Sequence, residues 1–173
     1  MRGAAGRPAP PCRRPSTQVG VLALAGDVAE HLRALELAGA RPLAVRRPAD
    51  LAEAAGLIIP GGESTTIWKL AEIFDLAGPL RQRVASGMPV FGSCAGMIML
   101  ASRLVDPASG QETVGAIDMT VRRNALSRQV DSFESDLIIA ALDGGLYRGV
   151  FIRAPWAVQV GQDAETLAAE PRL

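Results

Sequence analysis

The chain has 173 residues, about the size of one α/β domain and too few for two with separate cores. Hydrophobic residues make up 49% and aromatics only 4%, so the core must be built from Leu, Val, Ile and Ala. Eighteen Lys and Arg balance eighteen Asp and Glu, which leaves no net field for nucleic acid or an anionic membrane. No apolar run approaches the roughly 20 residues that a membrane-spanning helix needs.

Residues 1–18 hold four Pro and four Arg, no acidic residue and no apolar stretch. That composition argues against a secretory signal, and the prolines oppose the amphipathic helix of an organelle transit peptide. The segment reads as a disordered leader ahead of one domain over residues 19–173. Only two cysteines are present, and Cys12 lies in the leader, so a disulfide framework is excluded and a reducing cytoplasm is the simpler setting. Residues 19–24 form a continuous apolar run, the pattern of a strand buried on both faces. Gly26 ends it, and Asp27 is placed to cap a helix over 28–38 that Gly39 stops. Residues 42–46 and 56–59 read as the next two strands. Helical spacing of Ile67, Leu70, Ile73 and Phe74 predicts a helix over 64–76, with a further helical piece over 79–85. A fourth strand at 89–92 leads at once into a helix over 95–102. This alternation calls for a three-layer α/β fold, with a mostly parallel central sheet and helices on both faces. Beyond Asp106 the pattern changes to shorter strands and loops over 114–121, 129–139 and 149–160.

Cys94 stands out for chemistry. It sits among small residues (Gly92, Ser93, Ala95, Gly96), just past a strand and just before a helix. Small neighbours permit a sharp turn whose apex side chain projects from the sheet edge. A helix N-terminus favours thiolate over thiol, and the N–H of Ala95 is placed to meet an oxyanion. A buried structural cysteine is the competing reading, since Cys is among the most often buried residue types. The segment Pro60-Gly61-Gly62-Glu63-Ser64 weighs against it. Two glycines at a neighbouring strand end let backbone N–H groups approach a ligand, although alone they would make an ordinary turn with Ser64 capping a helix.

Together, PGGEST at 60–65 and FGSCAGM at 91–97 resemble the class I glutamine amidotransferases. LALAGDVAEH at 22–31, RRNALSRQVDSFE at 122–134 and GVFIRAPW at 149–156 narrow the likeness to the glutaminase subunit of pyridoxal 5'-phosphate synthase. The resemblance implies that Cys94 attacks the side-chain amide of L-glutamine, forming a glutamyl thioester and releasing ammonia. It implies Gly62 and Ala95 N–H groups as oxyanion donors, and Gly62, Glu63, Ser64, Arg123, Ile152 and Arg153 as substrate-binding positions. An arginine fork suits the α-carboxylate of glutamine. Otherwise Arg122, Arg123 and Arg128 read as a solvated basic face, and Glu63 as a first-turn acid favoured by the helix dipole. The implied partner is the barrel-shaped synthase subunit, which receives the ammonia. No phosphate-binding glycine loop or plausible metal set is present, so pyridoxal phosphate is read as the partner's product and no cofactor is expected.

Two departures bear on activity. The family completes its triad with a His-Pro-Glu segment near the C-terminus, whereas the only histidine here is His31. No His-x-Glu follows Cys94, and the segment carrying it, with a closing strand and helix, is expected to be missing. Ala25 also replaces a glutamine usual in the opening motif. The alternative reading is therefore a non-catalytic remnant that docks on the synthase subunit. A third is an unrelated cysteine hydrolase or redox-sensing α/β protein, which would not carry the five motifs together.

Overall fold

In a computed structural model, residues 17–123, 132–139, 141–142, 145–152 and 154–170 are described. Four parallel strands form the central sheet: β1 (Gln18–Leu22), β2 (Arg41–Val45), β3 (Gly56–Ile59) and β4 (Val90–Gly92), in the order β2-β1-β3-β4. The strand predicted from residue 19 begins one residue earlier, so the last residue of the expected leader, Gln18, pairs with Arg41. Chain order reverses at β1: β2 lies on one side and β3 on the other. Open α/β sheets hold their ligands at such a switch point, beyond the carboxyl ends of the strands.

Helices α1 (Val28–Leu37), α2 (Pro48–Glu53), α3 (Ser64–Ile73), α4 (Ala77–Ala85) and α5 (Ala95–Leu100) connect and cover these strands. Leu22, Val45, Leu57 and Ile59 from the sheet pack with Ile67, Trp68, Leu80 and Met99 in the main core. Val21, which alternation points to the opposite face from Leu22, is also fully buried, so both faces are covered. The six-residue α2 was not anticipated. Its signals are local: Pro48 in the first turn, and the Asp50 carboxylate accepting from the backbone N–H groups of Arg46 and Arg47 at 3.1 and 3.0 Å. The helix expected to reach residue 76 stops at Ile73. Asp75 turns into the left-handed region at φ 56°, and α4 starts two residues later.

The helix expected over 95–102 is shorter. At Ala101 the backbone becomes extended and runs directly into β5 (Ala101–Val105). Pairing decides this. β5 lies parallel to β6 (Ile117–Arg122), with Ser102 Oγ donating to the Ile117 carbonyl at 2.7 Å and Arg103 reaching Asp118 and Thr120. β9 (Trp156–Val160) completes this second sheet antiparallel to β6. The region over 149–160, expected to hold shorter strands and loops, contributes to two strands. Its first part belongs to β8 (Leu146–Phe151), which forms an antiparallel hairpin with β7 (Phe133–Ile138). On that hairpin Phe133 and Phe151 stack at 4.9 Å, while Arg148 pairs with Asp136 and Glu134, which raises its pKa. Among the described residues no helix is long and apolar enough to cross a membrane.

Candidate active site

Cys94 occupies the apex of the turn between β4 and α5, with φ 49° and ψ −104°. A side chain costs energy in that conformation, which persists only where the surroundings enforce it. They do so on two sides. The Ser93 N–H donates to the Ile59 carbonyl at 3.2 Å, and the Gly96 N–H to the Ser93 carbonyl at 2.8 Å. Gly92 and Gly96 meet back to back, and a methyl group on Gly96 would overlap the Ile59 carbonyl oxygen. The Cys94 side chain is consequently exposed. Ala95 is the first residue of α5, so its N–H has no acceptor within the helix. At six residues α5 is only about 9 Å long, a weaker dipole than the predicted helix would supply.

The facing wall comes from the ends of β1 and β3. Gly26 at φ 91° lies against Gly61, and the Asp27 N–H donates to the Gly61 carbonyl at 3.2 Å. Gly62, at φ 148°, passes so near that a Cβ there would stand 3.1 Å from the Gly26 Cα. The position of a Cβ on Gly61 is 3.6 Å from the Cβ of Cys94, so this turn and the thiol face one another closely. Asp27 was expected to cap α1, but its side chain makes no capping bond and lines the cavity instead. Ser64 is likewise not a cap. It is the first residue of α3, 2% exposed, and its hydroxyl accepts from Gln111 Nε2 at 3.0 Å. The Glu63 carboxylate accepts from Thr65 Oγ1 at 3.0 Å.

Between these walls lies a cavity of about 570 Å³ lined by Asp27, Gly61, Gly62, Glu63, Ser64, Ser93, Cys94 and Arg123, with Ile98, Val150, Ile152 and Pro155. Its volume falls in the range of small-molecule sites, and its charges are of both signs, as a zwitterion requires. A second, mainly apolar cavity of about 460 Å³ adjoins Cys94, Met97 and Trp156. The polar cavity is the better reaction site because the glycine turn opens into it. Gly62, Glu63, Ser64, Cys94, Arg123 and Ile152 thus come together around one space, with Ala95 behind Cys94; Arg153 and Arg128 lie outside the described residues. Sequence reasoning missed Gln111, which accepts a hydrogen bond from Arg123 Nη1 while donating to Ser64. No periodicity or motif marks a loop glutamine. His31 approaches from α1, but its Nε2 lies 3.2 Å from the Ser93 hydroxyl, the neighbour of Cys94.

Comparison with known proteins gives this arrangement its relatives. The SNO glutamine amidotransferase family model matches residues 21–171. Pyridoxal 5'-phosphate synthase subunit PdxT of Acidothermus cellulolyticus is 62% identical over 161 residues, which are 93% of this chain and 77% of that protein. PdxT of Streptomyces avermitilis is 61% identical over 150 residues, 87% of this chain and 75% of that one. A crystal structure of a glutamine amidotransferase superposes with a TM-score of 0.82 at 45% identity, over 90% of this chain and 81% of that one. This chain belongs to the SNO glutamine amidotransferase family.

Proposed function

We propose that the chain acts on L-glutamine as the glutaminase subunit of a pyridoxal 5'-phosphate synthase. The observation that carries this reading is the strained Cys94 apex facing the Gly61–Gly62 turn across one cavity. The Cys94 thiolate attacks the side-chain amide carbon, and the N–H groups of Gly62 and Ala95 stabilise the resulting oxyanion. The carbon–nitrogen bond then breaks, the nitrogen takes a proton and leaves as ammonia, and water cleaves the thioester to glutamate, restoring the thiol. Arg123 and Arg153 serve the α-carboxylate, while Glu63 and Asp27 face the α-ammonium. The ammonia passes to the barrel-shaped synthase subunit, a setting that fits the cytoplasm.

The weak link is proton transfer. A positioned acid/base is worth about 100- to 10,000-fold, and the histidine of these 173 residues, His31, is engaged with the Ser93 hydroxyl at 3.2 Å. We therefore expect these 173 residues, taken by themselves, to hydrolyse glutamine slowly. That same observation favours a second reading, a family member that binds the synthase subunit without turning over glutamine.

Ammonia release by the purified chain, with and without the synthase subunit and with Cys94→Ala as control, separates the two readings. Release that depends on both the partner and Cys94 supports the enzyme, and a normal turnover number would refute the slow hydrolysis. Binding of the partner with no release supports the non-catalytic reading.

A further inference from the structure

Arg123 does not enter the cavity unaided. Its Nη1 donates to Gln111 Oε1, and Gln111 Nε2 donates to the Ser64 hydroxyl at 3.0 Å, so one amide ties the end of β6 to the start of α3. Gln111 is itself held: its N–H donates to the Ala108 carbonyl at 2.9 Å, and the next two residues are clamped from α4. Arg81 donates through Nε and Nη2 to the Thr113 carbonyl at 2.9 and 2.6 Å and pairs with Glu112 at 2.8 Å. The same guanidinium lies over the Trp68 ring of α3, 4.7 Å from its centre. Gln111 is half-buried, and its amide has its polar atoms committed on both sides.

The chemistry of the partner matters as much as its position. A carboxylate placed against Arg123 would aim the guanidinium but would also neutralise it. A primary amide aims it and leaves its positive charge available. We propose that Gln111 is a positioning residue for substrate recognition, orienting Arg123 toward the α-carboxylate of an amino-acid ligand while preserving the charge that attracts it. The inference rests on the reading that this cavity takes L-glutamine, and it adds a determinant of how the amino-acid head is selected.

The test avoids dependence on turnover. Cys94 in the full chain is alkylated with the chloroketone analogue of L-glutamine, L-2-amino-4-oxo-5-chloropentanoate, and with chloroacetone, which presents the same group without the amino-acid head. In both reactions the thiolate sulfur bonds the methylene carbon and chloride leaves. The rate constants are read at the Cys94 peptide by mass spectrometry, and their ratio isolates recognition of the head from reactivity of the thiol. The unsubstituted chain is expected to favour the amino-acid chloroketone strongly. Gln111→Glu should lower the ratio by about 10-fold, because the new carboxylate competes for Arg123. Gln111→Met, of similar length but without the polar ties, should lower it by about 3- to 10-fold and decides the matter if the Glu variant does not fold. A purely structural tie would survive in Gln111→Glu, since Ser64 can donate to a carboxylate and Arg123 can pair with it. An unchanged ratio in that variant therefore overturns the proposal even if Gln111→Met loses selectivity, as does an unchanged ratio in Gln111→Met when it decides. A ratio near one in the unsubstituted chain overturns the glutamine reading itself, and this inference with it.

Discussion

The backbone of Cys94 is where function and stability pull against each other. At φ 49° and ψ −104° any Cβ is strained, so the thiol is exposed at a cost in folding energy. Two substitutions that both remove the sulfur should consequently differ. Cys94→Gly relieves the conformation and should be more stable than Cys94→Ala by about 1 kcal/mol, measured by urea unfolding, although glycine loses more entropy on folding. Equal stabilities would mean that the turn relaxes once the sulfur is gone. The opposite error is equally informative at Gly96, where a methyl group would meet the Ile59 carbonyl, a backbone atom that has little room to retreat. Gly96→Ala should cost at least about 1–3 kcal/mol, and it should change the Cys94 alkylation rate as the turn shifts. Small residues around a cysteine are visible in a sequence, which is why the turn could be anticipated from 91–97. The inward rotation of Ser64 and the cavity-facing carboxylate of Asp27 were not visible, because both residues are equally good helix caps and only long-range partners, Gln111 for Ser64 and the Gly61 turn for Asp27, choose otherwise.

Among the elements, those with an apolar run or a clear helical period were legible, and α2, which has neither, was not. The strand over 56–59 and the helix beginning at 64 follow from apolar pattern alone. α2 depends on one capping interaction, and that interaction is titratable. The Arg46 backbone N–H, and after it the Arg47 side chain, hold Asp50 below its ordinary pKa of 3.8. A group depressed on folding adds stability that is fully present above the unfolded pKa and is lost as pH falls through the folded one. The contribution should thus be intact at pH 5 and fade as pH falls below about 3.8. Asp50→Asn should flatten that limb of a thermal-midpoint profile, and an unchanged acid limb would assign the loss to other carboxylates. The loop between β5 and β6 is ordered by a different device, the Arg81 clamp. Most of its value lies in the Trp68 contact and the bonds to the Thr113 carbonyl, since the exposed pair with Glu112 is screened by solvent. Arg81→Ala should cost about 1–2 kcal/mol and Glu112→Ala less than about 0.5. Arg81→Lys should not restore the loss, because an ammonium cannot reproduce the fork.

Across the whole molecule, α5 determines whether two sheets behave as one body. Met99 and Leu100 enter the main core, whereas Ile98 joins Ala101, Met119 and Val121 beneath the second sheet. Ile117 packs against both clusters, so the elements on either side share a wall. The alternation of strands and helices pointed to the first sheet, but the start of β5, Ala101 and Ser102, was read as the end of a helix because its pairing with β6 is a long-range fact. If α5 transmits stability, the two sheets must unfold together. The chain carries its own reporters, since its two tryptophans lie one on each side: Trp68 is buried in the main core, and Trp156 opens β9. In Trp156→Phe the fluorescence follows the first sheet, and in Trp68→Phe it follows the second. Each should have the same urea midpoint as the far-ultraviolet circular dichroism of that variant. Met99→Ala, placed in either background, should lower both probes together by about 2–5 kcal/mol, although the side chain faces only the main core. A Trp156 transition that stays put when Met99 is truncated would show that the second sheet stands alone. The thiol at the head of α5 would then depend on the first sheet only.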